Sequence, residues 1–143
     1  MSGAPEVAIM TALQAQLRTI DADMYDNRTA RENVDFTKPA PPTAYQEISY
    51  AWSSPGNAEK GGSTFLQSGY LQILLKFAGG SGPGEALTRA RAIRSAFKSP
   101  SSFVADGITT SVLQTPQIAA GYSDSDNRWV VPVRVYFTAQ IPN

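Results

Sequence analysis

Apolar residues recur along the chain in two rhythms. Over residues 6–20 the spacing is three and four. Met10, Leu13, Leu17 and Ile20 share one helical face and Val7 extends the stripe, while Gln14, Gln16 and Arg18 point elsewhere. Pro5 suits a first-turn position and Glu6 the positive helix N-terminus. The same spacing returns over residues 84–98. There Ala86, Ala90, Ile93 and Phe97 define the apolar face, Leu87 lies at its edge, and Ser99-Pro100 ends it. Both segments are predicted as amphipathic helices packed on a sheet.

The second rhythm has period two. In residues 44–52, Ile48, Tyr50 and Trp52 alternate with Glu47 and Ser49. In residues 64–77, Leu71, Ile73, Leu75 and Phe77 face one way, and Tyr70, Gln72, Leu74 and Lys76 the other. Residues 108–114 are rich in β-branched side chains and follow a polar turn through Asp106-Gly107. Residues 129–141 form the clearest strand, with Val131, Val133, Val135, Phe137 and Ala139 on one face; Pro132 predicts an edge position or a bulge there.

Between these segments the pattern lapses. Residues 21–43 carry many charges and end in Pro39-Ala40-Pro41-Pro42; residues 53–63 are rich in Gly, Ser and Asn. Both read as long loops, which in compact domains are usually functional or mobile. The element order α-β-β-α-β-β predicts a single α+β domain over residues 1–143. Its sheet is mostly antiparallel with about four strands, and two helices pack on one face.

Composition removes most chemistry. The chain has 143 residues, no His and no Cys. Ser-His-Asp and Cys-His nucleophilic sites, Cys/His zinc sites and thiol redox chemistry are therefore excluded. Hydrophobic residues make up 42% and charged residues 17%, too apolar for a disordered chain. No apolar run approaches 18 residues, so no membrane span is expected, and no secretory signal is visible at the N-terminus. Twelve basic residues balance twelve acidic ones, which argues against a generic polyanion binder.

Short motifs fail on inspection. Gly79-Gly80-Ser81-Gly82-Pro83-Gly84 sits between a strand and a helix, but Glu85 follows where a phosphate loop needs Lys. Asp21, Asp23 and Glu32 mimic a calcium loop, but Tyr25 replaces a ligand and Asp26 the required Gly. Ser95-x-x-Lys98 and Ser125-Asp126-Asn127 match two serine β-lactamase motifs without the third, Lys-Thr-Gly. No catalytic, metal or cofactor site is expected.

The charges are segregated. Residues 1–50 hold four basic and seven acidic side chains, residues 51–100 six and two. Arg91, Arg94 and Lys98 share one flank of the second helix, either as solvated residues favouring its C-terminal dipole or as a docking stripe for an acidic neighbour. The candidate counterpart is the acidic segment of another subunit, with Asp21, Asp23, Asp26, Arg28 and Arg31. Tyr50, Trp52 and Tyr122 are candidate interface anchors, since aromatic residues dominate hot spots.

The order of several segments carries a resemblance. Gly69-Tyr70-Leu71-Gln72-Ile73-Leu74-Leu75 precedes Gly80-Ser81-Gly82-Pro83-Gly84 and an Ala-rich helix through Ala90 and Phe97. Ser111-Val112-Leu113, Gly121-Tyr122 and Trp129-Val130-Val131-Pro132-Val133-Arg134-Val135 follow. Together with the N-terminal helix, the Pro-rich loop and the strand at 44–52, this resembles the tail-terminator proteins of siphophages and their prophage relatives, the lambda U-protein type, over nearly the whole chain. The resemblance implies a virion structural protein assembled in the bacterial cytoplasm. It implies a homo-oligomeric ring, usually hexameric, on the head-proximal end of the tail tube. Such a ring stops tube polymerisation and offers a surface to the head-completion or neck protein, while genome DNA passes through the lumen without sequence-specific binding. Two alternatives remain at this stage: another head-tail adaptor or neck protein, and a small enzyme using carboxylates such as Glu47 and Asp106.

Overall fold

The computed structural model describes residues 4–57 and 62–142. Three helices and eight strands follow in the order α1 (Pro5–Arg18), α2 (Ala22–Asn27), β1 (Thr29–Ala30), β2 (Tyr45–Trp52), β3 (Thr64–Ala78), α3 (Gly84–Ala96), β4 (Ser101–Ala105), β5 (Ile108–Val112), β6 (Gln117–Ile118), β7 (Tyr122–Ser123) and β8 (Arg128–Pro142). The sheet runs β1-β2-β3-β8-β5-β4, with β6 and β7 also paired to β8. Among the described residues only β1 and β2 pair in parallel, so the sheet is mixed.

This corrects the expected fold of about four strands and two helices. The supposed loop at 21–43 contains α2 and β1. Asp21 caps α2 by accepting from the Met24 amide at 3.2 Å, and the Gln46 amide donates to Arg28 O beside β1. The other supposed loop, 53–63, lies partly outside the described residues, at 58–61. The missed β4 pairs with β5 across a two-residue turn in which Asp106 and Gly107 both take positive φ, 49° and 76°.

The longest ladder pairs β3 with β8, from Thr64 opposite Pro142 to Ala78 opposite Arg128. Period-two alternation sets its register. Leu71, Ile73 and Leu75 lie opposite Val135, Val133 and Val131, and all six are buried. Ala86, Ala90 and Ile93 of α3 and Phe97 at its C-terminal cap join this core, as do Ala8, Ile9, Leu13 and Leu17 of α1. The α1 face is rotated from expectation: Val7 is exposed and Met10 half-buried, while Ala8, Ile9 and Ala12 turn inward.

Pro132 does not mark an edge, because β8 has neighbours on both sides. Its carbonyl accepts from the Ala119 amide at 2.9 Å, which places its nitrogen on the same flank. That flank is where β6 ends and β7 has not begun, so the missing N–H breaks no ladder bond.

The opposite sheet face has its own cover. Tyr45 is fully buried there, with the Phe36 ring 5.7 Å away and the Arg128 guanidinium 5.0 Å from its centroid. Arg128 donates to Thr43 O at 2.6 Å and Pro39 O at 2.7 Å, pinning the Pro-rich segment over the sheet. No helix among the described residues is long and apolar enough to cross a membrane.

Candidate assembly interface

The aromatic candidates separate into two places. Tyr50 and Trp52 lie on the helix-facing side of β2, their rings stacked at 5.8 Å and 16°. Trp52 is 40% exposed, yet it also meets Phe137 edge to face. Tyr50 is held from below: Gln14 Nε2 donates to its hydroxyl at 2.9 Å, and the Tyr25 hydroxyl donates to Gln14 Oε1 at 2.7 Å. Burial pushes the Tyr50 phenol well above its ordinary pKa, so it stays neutral. Tyr122, also exposed, sits on β7 opposite Val130, seven positions along β8 from Phe137. At a strand rise of about 3.3 Å per residue that separation is roughly 23 Å. The three aromatics therefore do not form one patch.

The acidic segment is largely satisfied inside its own chain. Asp26 pairs with Arg18 at 2.9 Å, and the second carboxylate oxygen accepts from Arg18 Nε at 3.0 Å. Hydrogen bonding to Arg18 lowers the Asp26 pKa. Asp23 pairs with Arg28 at 3.1 Å and accepts from Asn27 at 2.9 Å. Arg31 lies over the Tyr25 ring at 4.5 Å and donates to Tyr25 O at 3.1 Å. Asp21 caps α2 and approaches Arg89 at 3.9 Å.

The basic stripe on α3 divides similarly. Arg91 and Lys98 are exposed. Arg94 is half-buried and donates through Nε to Pro116 O at 3.1 Å, holding the connection between β5 and β6. Arg89, one turn earlier, was invisible as a special residue in the sequence. Its side chain is only 10% exposed, its Nε and Nη2 find no partner among the described residues, and burial lowers its pKa. No composition signal distinguishes it from its solvated neighbours; only the burial of Ala86, Ala90 and Ile93 on the same helix hints at the face.

The carboxylates suggested for catalysis do not converge. Glu47 pairs with Lys76 at 3.2 Å on the far sheet face, and Lys76 also pairs with Asp124 at 3.1 Å. Burial opposes the charge on Lys76, but the two carboxylates outweigh it and raise its pKa. Asp106 occupies the tight turn between β4 and β5. Among the described residues no group of three or more Asp or Glu is placed to hold a metal ion.

A family model described as phage tail terminator protein matches residues 8–137. No curated protein matches the chain in sequence. Two solved structures share its fold. One, of a protein without a functional name, aligns with a TM-score of 0.72 at 18% identity over 99% of each chain. Another, a chain of the virion of a native gene transfer agent particle, aligns with a TM-score of 0.59 at 13% identity over 99% of this chain and all of that one. At these identities the likeness is one of fold.

Proposed function

We propose a function from one premise: the chain belongs to the phage tail terminator family. It is a structural protein of the virion tail and not an enzyme. We infer that it forms a homo-oligomeric ring, hexameric as the sequence resemblance implies, on the head-proximal end of the tail tube. The ring stops polymerisation of the tube protein and offers its other rim to the head-completion or neck protein. Genome DNA passes through the lumen without sequence-specific contacts. Assembly takes place in the host cytoplasm.

The observation that supports this reading is the family match across residues 8–137, which takes in every element from α1 to the central part of β8. A ring requires two different, complementary surfaces on one subunit. Tyr50 and Trp52 supply an apolar anchor for one of them, and Tyr122 one for another. Arg91 and Lys98 supply steering charge, with Arg94 behind them. The segment bearing Asp21, Asp23, Asp26, Arg28 and Arg31 acts as a structured counterpart whose charges are already arranged by internal pairs.

Electron microscopy of purified tail-tube protein polymerising with and without this protein tests the proposal. Short, capped tubes are expected in its presence. Tubes of unchanged length with bare ends would contradict it.

A further inference from the structure

The sheet has two open ends, and they match. At one end, β1 covers only the start of β2: Thr29 and Ala30 pair with Gln46 and Glu47. The Gln46 amide points toward β1, bonding to Arg28 O, whereas the Ser53 amide points toward β3, bonding to Ser68 O. The parallel pair Ala30 and Glu47 uses the Ile48 amide, so alternation leaves the Ile48 C=O and the backbone N–H and C=O groups of Tyr50 and Trp52 on the free edge. At the other end, β4 is the last strand. Its two-residue turn closes on the pair Ala105 and Ile108, so Ala105, Phe103 and Ser101 bond to β5 while Ser102 and Val104 face outward. Beyond the β1–β2 and β4–β5 ladders, no backbone hydrogen bond among the described residues reaches either set.

Neither edge is guarded. Folded monomers protect edge strands with charges, prolines or bulges. Ile48-Ser49-Tyr50-Ala51-Trp52 and Ser101-Ser102-Phe103-Val104-Ala105 have equal length and contain no charged residue and no proline. Each exposes a large apolar side chain, Trp52 at 40% and Val104 at 67%.

We propose that the free edge of β4 in one copy of this chain pairs with the free Ile48–Trp52 edge of β2 in the next, joining the sheets of successive subunits. The joint rests on the ring reading above and specifies its interface. Its sense is fixed by the topology. β2, β3, β8, β5 and β4 alternate in direction, so β2 and β4 run the same way. Rotation about a ring axis keeps the sense in which strands run along it, so the joint is parallel. That is how β1 already pairs on the same edge of β2, and the incoming strand continues the row where β1 stops. The faces also agree. Phe103 packs on Phe97 on the helix side, at 5.6 Å, which brings it beside the neighbour's Tyr50 and Trp52. Val104 then shares the opposite face with the neighbour's Ser49 and Ala51.

The chain has no cysteine, so introduced pairs report cleanly. Val104→Cys combined with Ala51→Cys, or with Ser49→Cys, places thiols on one face of the joint and at opposite ends of a single subunit, so any disulfide links two subunits. Val104→Pro removes an outward N–H without touching a bond to β5. Native mass spectrometry is read for the protein alone and mixed with purified tail-tube protein, with circular dichroism as the folding control. The expected result is a disulfide-linked ladder from at least one cysteine pair, together with loss of rings in folded Val104→Pro. Rings in which neither pair cross-links, or Val104→Pro rings indistinguishable from wild type, overturn this joint and leave the ring reading standing. Wild-type protein that forms no ring under either condition overturns both.

Discussion

The ring of Trp52 meets the ring of Phe137 edge to face, with centroids 5.7 Å apart and planes at 73°. One residue is exposed at the end of β2 and the other is 2% exposed in the core. The contact ties the free end of the sheet to its centre. Removing it therefore has two readouts. Phe137→Ala leaves a cavity beside Leu71 and Val135 and should cost about 3–5 kcal/mol. Trp52 fluorescence should shift at the same time. An unchanged denaturation midpoint contradicts the packing described.

Gly69 lies beside this contact. A Cβ added there would come within 2.0 Å of Ala51 O and 3.2 Å of Phe137 Cζ. The first neighbour is backbone and cannot rotate aside, so the ladder between β2 and β3 must move. Gly69→Ala is expected to destabilise the fold and to weaken protection of the Ala51 and Ser53 amides, which face β3, in hydrogen exchange. Wild-type protection would show that the strands tolerate the methyl.

Gln14 links the Tyr50 and Tyr25 hydroxyls, donating to the first and accepting from the second. Gln14→Ala strands the buried Tyr50 hydroxyl. A lost partner of this kind typically costs about 1–3 kcal/mol. Gln14→Glu retains an acceptor for Tyr25 and should lose less. Equal stability of all three proteins in urea would remove the bridge from the account.

Acid should loosen the turn at 124–128. Burial opposes the Asp124 charge, but the amides of Arg128 and Asp126, both at 2.9 Å, and Lys76 at 3.1 Å hold its pKa below the ordinary aspartate value. A depressed folded pKa stabilises the protein above the unfolded value, and that stability is lost as pH falls through the folded one. Asp124→Asn should therefore flatten the acid limb of the stability profile. Parallel profiles for variant and wild type would contradict this.

Long, strictly alternating segments were legible from residues alone. β3 and β8 place valine, leucine and isoleucine at every second position, and a one-residue slip would expose them all. The α3 face was equally clear through Ala90, Ile93 and Phe97. The rest failed for identifiable reasons. Ala8 and Ala12 are too small to weigh in a hydrophobic stripe, so the α1 face came out rotated. α2 buries only Met24, and six residues give no periodicity; Asp21 as its cap was the available signal. β4 begins with two serines and points Val104 outward, but Asp106-Gly107 is a strong hairpin dipeptide and marked it. The aromatic anchors could be named from composition, but their separation on the sheet could not. The pairing of Asp26 required the fold, since Arg18 lies on a different helix, and that of Asp23 required α2, which brings Arg28 beside it.

The charged flank of α3 should act through its two exposed members. Arg94 is bound to Pro116 O, so replacing it confounds structure with docking. Arg91→Glu with Lys98→Glu avoids this. The double variant should keep the wild-type circular dichroism spectrum and form rings more weakly, with the difference shrinking as salt rises, because exposed charges are screened. Undiminished rings at low salt would assign these residues to solvent.

The central claim is ring closure on a tube end, and native mass tests it most directly. The protein is weighed alone and after mixing with purified tail-tube protein. A discrete closed multiple of the 15.3 kDa subunit, recovered at tube ends, is the predicted result. A subunit that stays monomeric in both conditions, with tubes growing unchecked beside it, would contradict the account.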